Sequence, residues 1–494
     1  KRIKIATTFH AFARKIVYDA CGGKGKCGSI LAERKDRFNF EIVRGMSYEK
    51  VWRKQMEIYI KDKKRQAEGI KFAGERGKVV ADANIINNDE LTRLAKKMTQ
   101  FVNRAQQKYL NGETTVAAVA RNYLKSQKID AKERSFIKIG VECFKRYHWY
   151  LLDAERKIRG FEGYGTDFNL IVSWASKLIA KKRGKVPELL GAKKYILIDE
   201  YQDFSQLFFA AVEAMRSVAV DAKLFVVGDD FQAINRFAGS EVEYFRDFEK
   251  FFPDDTHRLA IATNYRCDQE VVNTARKFMK KAMGHKGEFR AKSRRSGEVM
   301  LVNPREIECE YKMTERDTRV SGKDEIYRQA ARRMVGRAPK LSTIKYIKTL
   351  VAIIKKHRHA EKIFLLHRNN DTNIEDISLI RLSHGLRWVL SKANIMTTAE
   401  YNARVRVMTM HKSKGLEAEV VIILEADEGV IPKNHPDTKL FRMFGETEDI
   451  ALDDQKRLFY VALTRAKRRL YIIHNNAEGA GFIKHLGKLE KWEE

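Results

Sequence analysis

The chain has 494 residues, 44% hydrophobic and 10% aromatic, which suits two to four folded domains with sizeable cores and excludes a disordered chain. Lys and Arg total 96 against 65 Asp and Glu, a formal charge of +31 that attracts polyanions, nucleic acid first among them. Five scattered cysteines without CxxC spacing exclude a disulfide framework or zinc module, and no apolar stretch approaches the roughly 18 residues of a membrane span, so a reducing, cytoplasmic or nucleoid-associated setting is expected.

The chain opens on KRIKIATTFHAFA, which has no signal-peptide core and starts inside an expected strand. All six prolines lie at or beyond Pro187, so the first part is free to run as long helices. Residues 48–70 (YEKVWRKQMEIYIKDKKRQAEGI) and 134–158 (RSFIKIGVECFKRYHWYLLDAERKI) both space their apolar residues helically. The lysine-rich LIAKKRGK and IIKKHRH read as solvated helix ends. From residue 195 onward, short apolar runs close on polar residues or Gly: YILIDE, KLFVVGDD, KIFLLHR, VRVMTMH, EVVIILEA and RLYIIHN. Strands alternating with helical stretches predict an α/β fold with parallel sheets.

The run YILI at 195–198 predicts a strand buried on both faces. It ends on adjacent carboxylates, Asp199 and Glu200, an arrangement that suits a Mg²⁺–nucleotide site in which one acid holds the metal and the next positions a water. The following run ends at Gly228 and leads to Asp229, Asp230 and Gln232; an amide there can reach a terminal phosphate or serve as a hydrogen-bonded loop residue. Tyr265 and Arg266 stand in a polar loop before a helical stretch, where a guanidinium can pair with phosphate oxygens. In TMHKSKGLE, Thr409, His411, Lys412, Ser413 and Lys414 suit a nucleic-acid backbone, Gly415 permits a tight loop, and Glu417 can accept from a sugar hydroxyl. His411 has no companion ligands and is no metal site. Arg465 falls between a packed helix and a buried strand, an awkward place for a charge without a phosphate or acid partner.

Taken in order, TTFHAFA, LIDEYQD, VVGDDFQAINRFAGS, NYR, TMHKSKGLEAEVVII and RLFYVALTRAK resemble the successive motifs of UvrD/Rep-like superfamily 1 DNA helicases, with wording closest to the helicase IV branch. The resemblance covers nearly the whole chain and is weakest over residues 21–160 and 275–360. It implies two RecA-like parallel-sheet domains that clamp ATP and Mg²⁺ while single-stranded DNA crosses them. Asp199 would then hold Mg²⁺, Glu200 would activate water, Gln232 would sense the γ-phosphate, and Arg266 and Arg465 would act as arginine fingers. Tyr265 would stack on adenine, and Glu417, beside Gly415, would meet the ribose. Thr8, Phe9 and His10, with Thr409 and His411, would contact DNA, as would Asn235, Arg236 and Phe237, the last as an aromatic platform.

Two departures stand out. Asn235 occupies a position where the family usually has Tyr, which predicts altered DNA affinity or step coupling. The family's phosphate loop is expected upstream of TTFHAFA, and CGGKGKCGS at 21–29 does not replace it, since it lacks Lys–Ser/Thr and a leading strand. A truncated helicase, a loop supplied by another polypeptide, and a non-hydrolysing relative all fit that gap.

The expected layout is a partial, N-terminally incomplete first domain at 1–20 and 160–250, a helical insertion at 21–159, and a second domain at 251–494. The second domain would carry a reduced accessory insertion around 275–400, because only about 35 residues separate KIFLLHRNN from RVMTMH. The implied function is a 3′-to-5′ translocase or helicase acting on single strands and duplex junctions, alone or in a repair or defence assembly. The competing reading is a nucleic-acid-binding subunit without hydrolysis.

Overall fold

The computed structural model describes residues 12–13, 15–17, 40–42, 88–111, 114–126, 128–152, 164–182, 186–253, 256–285, 289–309, 311–313, 318–320, 322–433, 437–475 and 481–492. The helix expected at 48–70 and the DNA contacts expected at Thr8, Phe9 and His10 lie outside the described residues. The chain divides into two compact units. One holds the described residues within Lys1–Thr256 and Pro436–Glu448, the other those within His257–His435 and Asp449–Glu494.

The first unit begins, among its longer elements, with three helices: α1 (Asn88–Tyr109), α2 (Val116–Ser126) and α3 (Ala131–Leu152). On α1, Met98, Phe101, Val102 and Ala105 fall on one stripe and are buried, as helical periodicity dictates. Helix α4 (Phe168–Ala180) is capped by Asp167, whose carboxylate accepts the Leu170 N–H at 2.7 Å. Strand β1 (Tyr195–Ile198), helix α5 (Gln206–Val218) and strand β2 (Lys223–Val226) complete a βαβ unit, with Ile196 opposite Leu224 and Ile198 opposite Val226 in a parallel pair.

One face of this pair packs Ile196, Ile198, Leu224 and Val226 into the helical core. The other face departs from the expectation of a strand buried on both sides: Tyr195 is 61% and Leu197 67% exposed, and Phe225 beside them is 54% exposed. Among the described residues, α4 and α5 join the core with Ile196, Ile198, Leu224 and Val226, and alternate residues of each strand point away from it.

A second difference concerns domain boundaries. Residues 437–448, expected within the second domain, fold into the first unit. The reason is aromatic packing. Phe444 meets the ring of Phe101 edge-on at 4.9 Å, Phe441 meets Phe136 at 5.2 Å, and the Arg104 guanidinium lies 4.2 Å from the Phe441 ring while pairing with Glu446 at 3.0 Å.

The second unit is built on one parallel sheet. In chain order its main elements are α6 (Gln269–Met283), β3 (Glu298–Val302), α7 (Glu325–Val335), α8 (Leu341–Lys356), β4 (Ile363–His367), α9 (Leu379–Lys392), β5 (Val405–Thr409), β6 (Ala418–Ile423), α10 (Glu448–Leu463), β7 (Ala466–Ile473) and β8 (Glu490–Lys491). Its strand order is β5-β4-β6-β7-β3-β8, all parallel. All five residues of β4 are buried, as a strand covered on both faces requires. Within the 275–400 stretch where a reduced accessory insertion is expected, α7 and α8 belong to the layer of this sheet. Met334 of α7, with Ile344, Ile347, Leu350 and Ile354 of α8, packs into the core beneath the sheet.

Candidate functional site

In the first unit the carboxylate pair sits where β1 ends. Ile198 is buried and the next two residues emerge, Asp199 and Glu200 both exposed. Glu200 adopts a left-handed backbone (φ 53°), a conformation that costs a non-glycine residue roughly 1–2 kcal/mol and recurs at functional sites. Its N–H donates to Asp199 Oδ1 at 2.8 Å, and its own carboxylate accepts from Gln202 Nε2 at 2.5 Å. Gln202 is buried, and its Oε1 accepts the Asp229 N–H at 3.0 Å. The Asp229 carboxylate accepts from Gln232 Nε2 at 2.7 Å and from the Phe231 N–H at 3.0 Å.

A continuous relay, Glu200–Gln202–Asp229–Gln232, thus joins the carboxyl ends of both strands. Gly228 makes room for it: a Cβ there would stand 2.6 Å from Gln202 Oε1 and 2.9 Å from the Phe245 ring. Gln202 is the residue sequence reasoning assigned no role, although its position two after Glu200 carried the signal.

The neighbouring loop sorts the three residues expected at DNA. Asn235 Nδ2 donates to Asp203 Oδ2 at 2.9 Å and its carbonyl accepts from Ser240 Oγ at 3.0 Å. Arg236 lies between two carboxylates, Glu243 at 3.6 Å and Glu446 at 3.8 Å. Phe237 is 49% exposed, the most accessible of the three.

In the second unit, the residues expected at the nucleotide gather at the amino edge of the sheet. Glu417 immediately precedes β6 and Arg465 immediately precedes β7. Arg266 Nε donates to Glu417 Oε2 at 3.0 Å, and Lys467 Nζ pairs with the other oxygen at 2.8 Å. The Lys467 ammonium and then Arg266 hold the Glu417 carboxyl below the usual carboxylate range. The Arg266 loop is tied down by Asn264, whose Oδ1 accepts the Arg266 and Cys267 N–H groups at 2.9 Å each, and by the Asp268 N–H donating to the Lys467 carbonyl at 2.7 Å. Tyr265, at 75% exposure, projects from the same loop. Lys467 and Asn264 were not anticipated from sequence.

Arg465 differs from its expected setting. It is fully buried, and its guanidinium donates to main-chain and hydroxyl oxygens: Nε to the Val461 carbonyl at 2.9 Å, Nη1 to the Leu416 carbonyl at 3.1 Å and Nη2 to Thr464 Oγ1 at 3.3 Å. These acceptors resolve the awkward charge, and they link the end of α10 to the residue preceding Glu417.

Thr409 and His411 lie at the opposite, carboxyl edge, where β5 ends. Thr409 Oγ1 accepts the Lys412 N–H at 3.4 Å. Burial, with Arg368 nearby, lowers the His411 pKa to about 4, so its imidazole is neutral at pH 7. Gly415, between the two edges, has φ 77° and open space on its Cβ side. Among the described residues no group of three or more His, Cys, Asp or Glu could hold a metal ion, and no helix is long and apolar enough to cross a membrane.

The UvrD/REP helicase N-terminal domain matches residues 2–253, more than half of the chain, and the UvrD-like helicase C-terminal domain matches residues 325–477. The chain belongs to the UvrD/Rep helicase family. Among curated relatives, DNA helicase IV of Escherichia coli (strain K12) is 24% identical over 497 residues, covering 98% of this chain and 59% of that protein. The putative ATP-dependent DNA helicase YjcD of Bacillus subtilis (strain 168) is 22% identical over 62% of this chain and 55% of its own length. ATP-dependent DNA helicase PcrA of Staphylococcus aureus (strain Mu50) is 33% identical over 104 residues, 21% of this chain. The chain therefore spans between half and two thirds of the first two relatives. UvrD-type helicase domains are RecA-like α/β folds, in agreement with the parallel sheets seen in both units.

Proposed function

We propose that this chain is the motor portion of an ATP-dependent DNA helicase that tracks along single-stranded DNA, with 3′-to-5′ polarity taken from its kinship. The observation that carries the reading is the Glu200–Gln202–Asp229–Gln232 relay across two parallel strand ends. Parallel sheets bind ligands at their carboxyl edges, and a glutamine that bonds both the Glu200 carboxylate and the Asp229 main chain couples a water-activating group to a phosphate-sensing one. Purely structural needs would not place two exposed acids there at the cost of a left-handed glutamate.

In this reading Glu200 orients the attacking water and takes its proton, while Gln202 keeps the carboxylate aimed. Gln232 would donate to a terminal phosphate once released from Asp229, so occupancy of the site is felt along the relay. Asp199 would hold Mg²⁺; an exposed carboxylate at a strand end, with no all-protein cage among the described residues, suits an ion that completes its shell with phosphate oxygens and water. When bound, that ion would neutralise charge on the phosphate oxygens.

From the second unit, Arg266 would leave Glu417 for phosphate oxygens, Glu417 would then accept a ribose hydroxyl, and exposed Tyr265 would stack on the base. Arg465 is given a positioning role, holding Leu416 and hence Glu417. Phe237, Thr409 and neutral His411 would meet DNA, Phe237 by stacking that every base can offer. Single strands and duplex junctions are the expected substrates.

The test is DNA-stimulated ATP hydrolysis by the full-length product of the gene beside the chain itself, with Asp199→Ala, Glu200→Ala as control. Turnover that the double substitution abolishes is the expected result. Tight binding of single strands with no hydrolysis by the full-length protein would replace the motor with a binding subunit.

A further inference from the structure

One cavity of the second unit is lined by none of the residues discussed so far. It measures about 920 Å³ and is lined by Arg333 of α7, by Arg381, His384, Arg387, Trp388 and Lys392 of α9, and by the small polar residues that follow. The helices approach closely at its floor, because Gly385 lets Met334 sit where a Cβ would come within 2.1 Å of it. On α9, Arg381, His384, Trp388 and Lys392 succeed one another at helical spacing and so share one side.

Among the described residues no carboxylate lines the cavity, and the chain from Ile377 to Ala399 contains no Asp or Glu. The next acid, Glu400, is engaged in capping its own helix through Thr397. Arg333 lies over Trp388, its guanidinium 4.4 Å from the ring, which holds that charge at the wall of the cavity. Four permanent positive charges converge there and repel one another. A polyanion would turn that repulsion into binding.

From these observations we infer that the α7–α9 cavity is a second nucleic-acid contact that grips the phosphate backbone without reading bases. The extent of the charge selects a backbone over a single small anion. From Arg381 to Lys392 the helix rises about 16 Å, which matches roughly five phosphates along one strand of a duplex. The space also lies at the large end of small-ligand cavities, typically about 300–1,000 Å³, and its charged donors stand beside the Trp388 ring. The inference rests on nucleic acid being a ligand of this protein and is independent of ATP hydrolysis.

The test is equilibrium binding of a fluorescent single-stranded oligonucleotide and of a hairpin duplex, without nucleotide, between 50 and 200 mM salt. The parent is compared with Arg381→Ala, Arg387→Ala, Lys392→Ala. A matched variant, Lys277→Ala, Lys280→Ala, Lys281→Ala, removes three exposed charges from α6 of the same unit. Removing three phosphate contacts lowers the single-strand salt slope by about 2, so across that range the α9 variant loses about sixteenfold less affinity than the parent. Arg381→Lys with Arg387→Lys keeps the parental slope, which separates charge from folding.

An unchanged slope in the α9 variant overturns the inference, as does an equal change in the α6 variant, which would report overall charge alone. Saturable binding of inorganic triphosphate that the α9 substitutions abolish, with the oligonucleotide slope untouched, would also overturn it, by making the cavity a small-polyphosphate site.

Discussion

Replacing Arg465 by Met separates two readings of a residue that family kinship places among the arginine fingers. The guanidinium is fully buried and donates to the Val461 and Leu416 carbonyls and to Thr464. Met preserves much of the volume but leaves two buried carbonyls without their charged donor. Hydrogen bonds to charged groups contribute about 1.5–3 kcal/mol each, so the second unit should lose about 3 kcal/mol. Arg266→Met, by contrast, removes a guanidinium that is about a third exposed and paired with an accessible Glu417, and should cost under about 1 kcal/mol. Hydrogen exchange at the amides of β6 and β7 reads the difference directly: about a hundredfold faster exchange in Arg465→Met and near-parental exchange in Arg266→Met. Both variants should hydrolyse ATP slowly. Parental exchange rates in Arg465→Met, with hydrolysis lost, would refute a positioning role and restore a finger that acts only during turnover.

Three further outcomes are expected. Gly228→Ala forces Gln202 off the relay and should cost about 1–3 kcal/mol of first-unit stability by urea titration, with hydrolysis lost; adding Gln202→Ala should recover only part of the stability, because the Phe245 ring still stands 2.9 Å from the new Cβ, and none of the activity. Burial lowers the pKa of both His357 and His411 to about 4, below the unfolded value of roughly 6.5, so the folded second unit binds fewer protons than the unfolded one; its stability should be full above pH 6.5 and fall towards pH 4, and His357→Gln should flatten that fall in melting temperature against pH. Phe237→Ala should weaken single-strand binding by about tenfold while leaving the melting temperature unchanged, since its ring is half exposed and stacking contributes about 1–3 kcal/mol per base.

Six strands, β1, β2, β4, β5, β6 and β7, were readable as apolar runs, whereas β3 and β8 were not picked out; the placing of Asp199 and Glu200 at a strand end was readable too, because an abrupt change from β-branched to acidic residues has few other meanings. Coverage was not readable. YILI looks the same whether helices pack on one side or two, and only the structure shows Tyr195 and Leu197 facing outward. Arg465 looked unsatisfied because sequence displays candidate carboxylates but not main-chain carbonyls brought in by the fold. Phe441 and Phe444 sat in an unremarked polar stretch, and nothing local announces that their partners are Phe136 and Phe101, some three hundred residues earlier. Arg236 was legible as a cation and not as one already held by Glu243 and Glu446.

The return of residues 437–448 to the first unit sets an order on synthesis. A fragment ending at Thr256 would carry Phe101 and Phe136 without the rings that pack on them, and Arg104 without Glu446. Roughly 190 residues leave the ribosome between Thr256 and Glu448, a wait of about 10–40 s at ordinary elongation rates. During that interval the growing chain holds an unfinished aromatic core, exposed to chaperones and proteases while more than a third of these residues are still being made. The same arrangement means that the first unit is drawn from two separate stretches of the sequence.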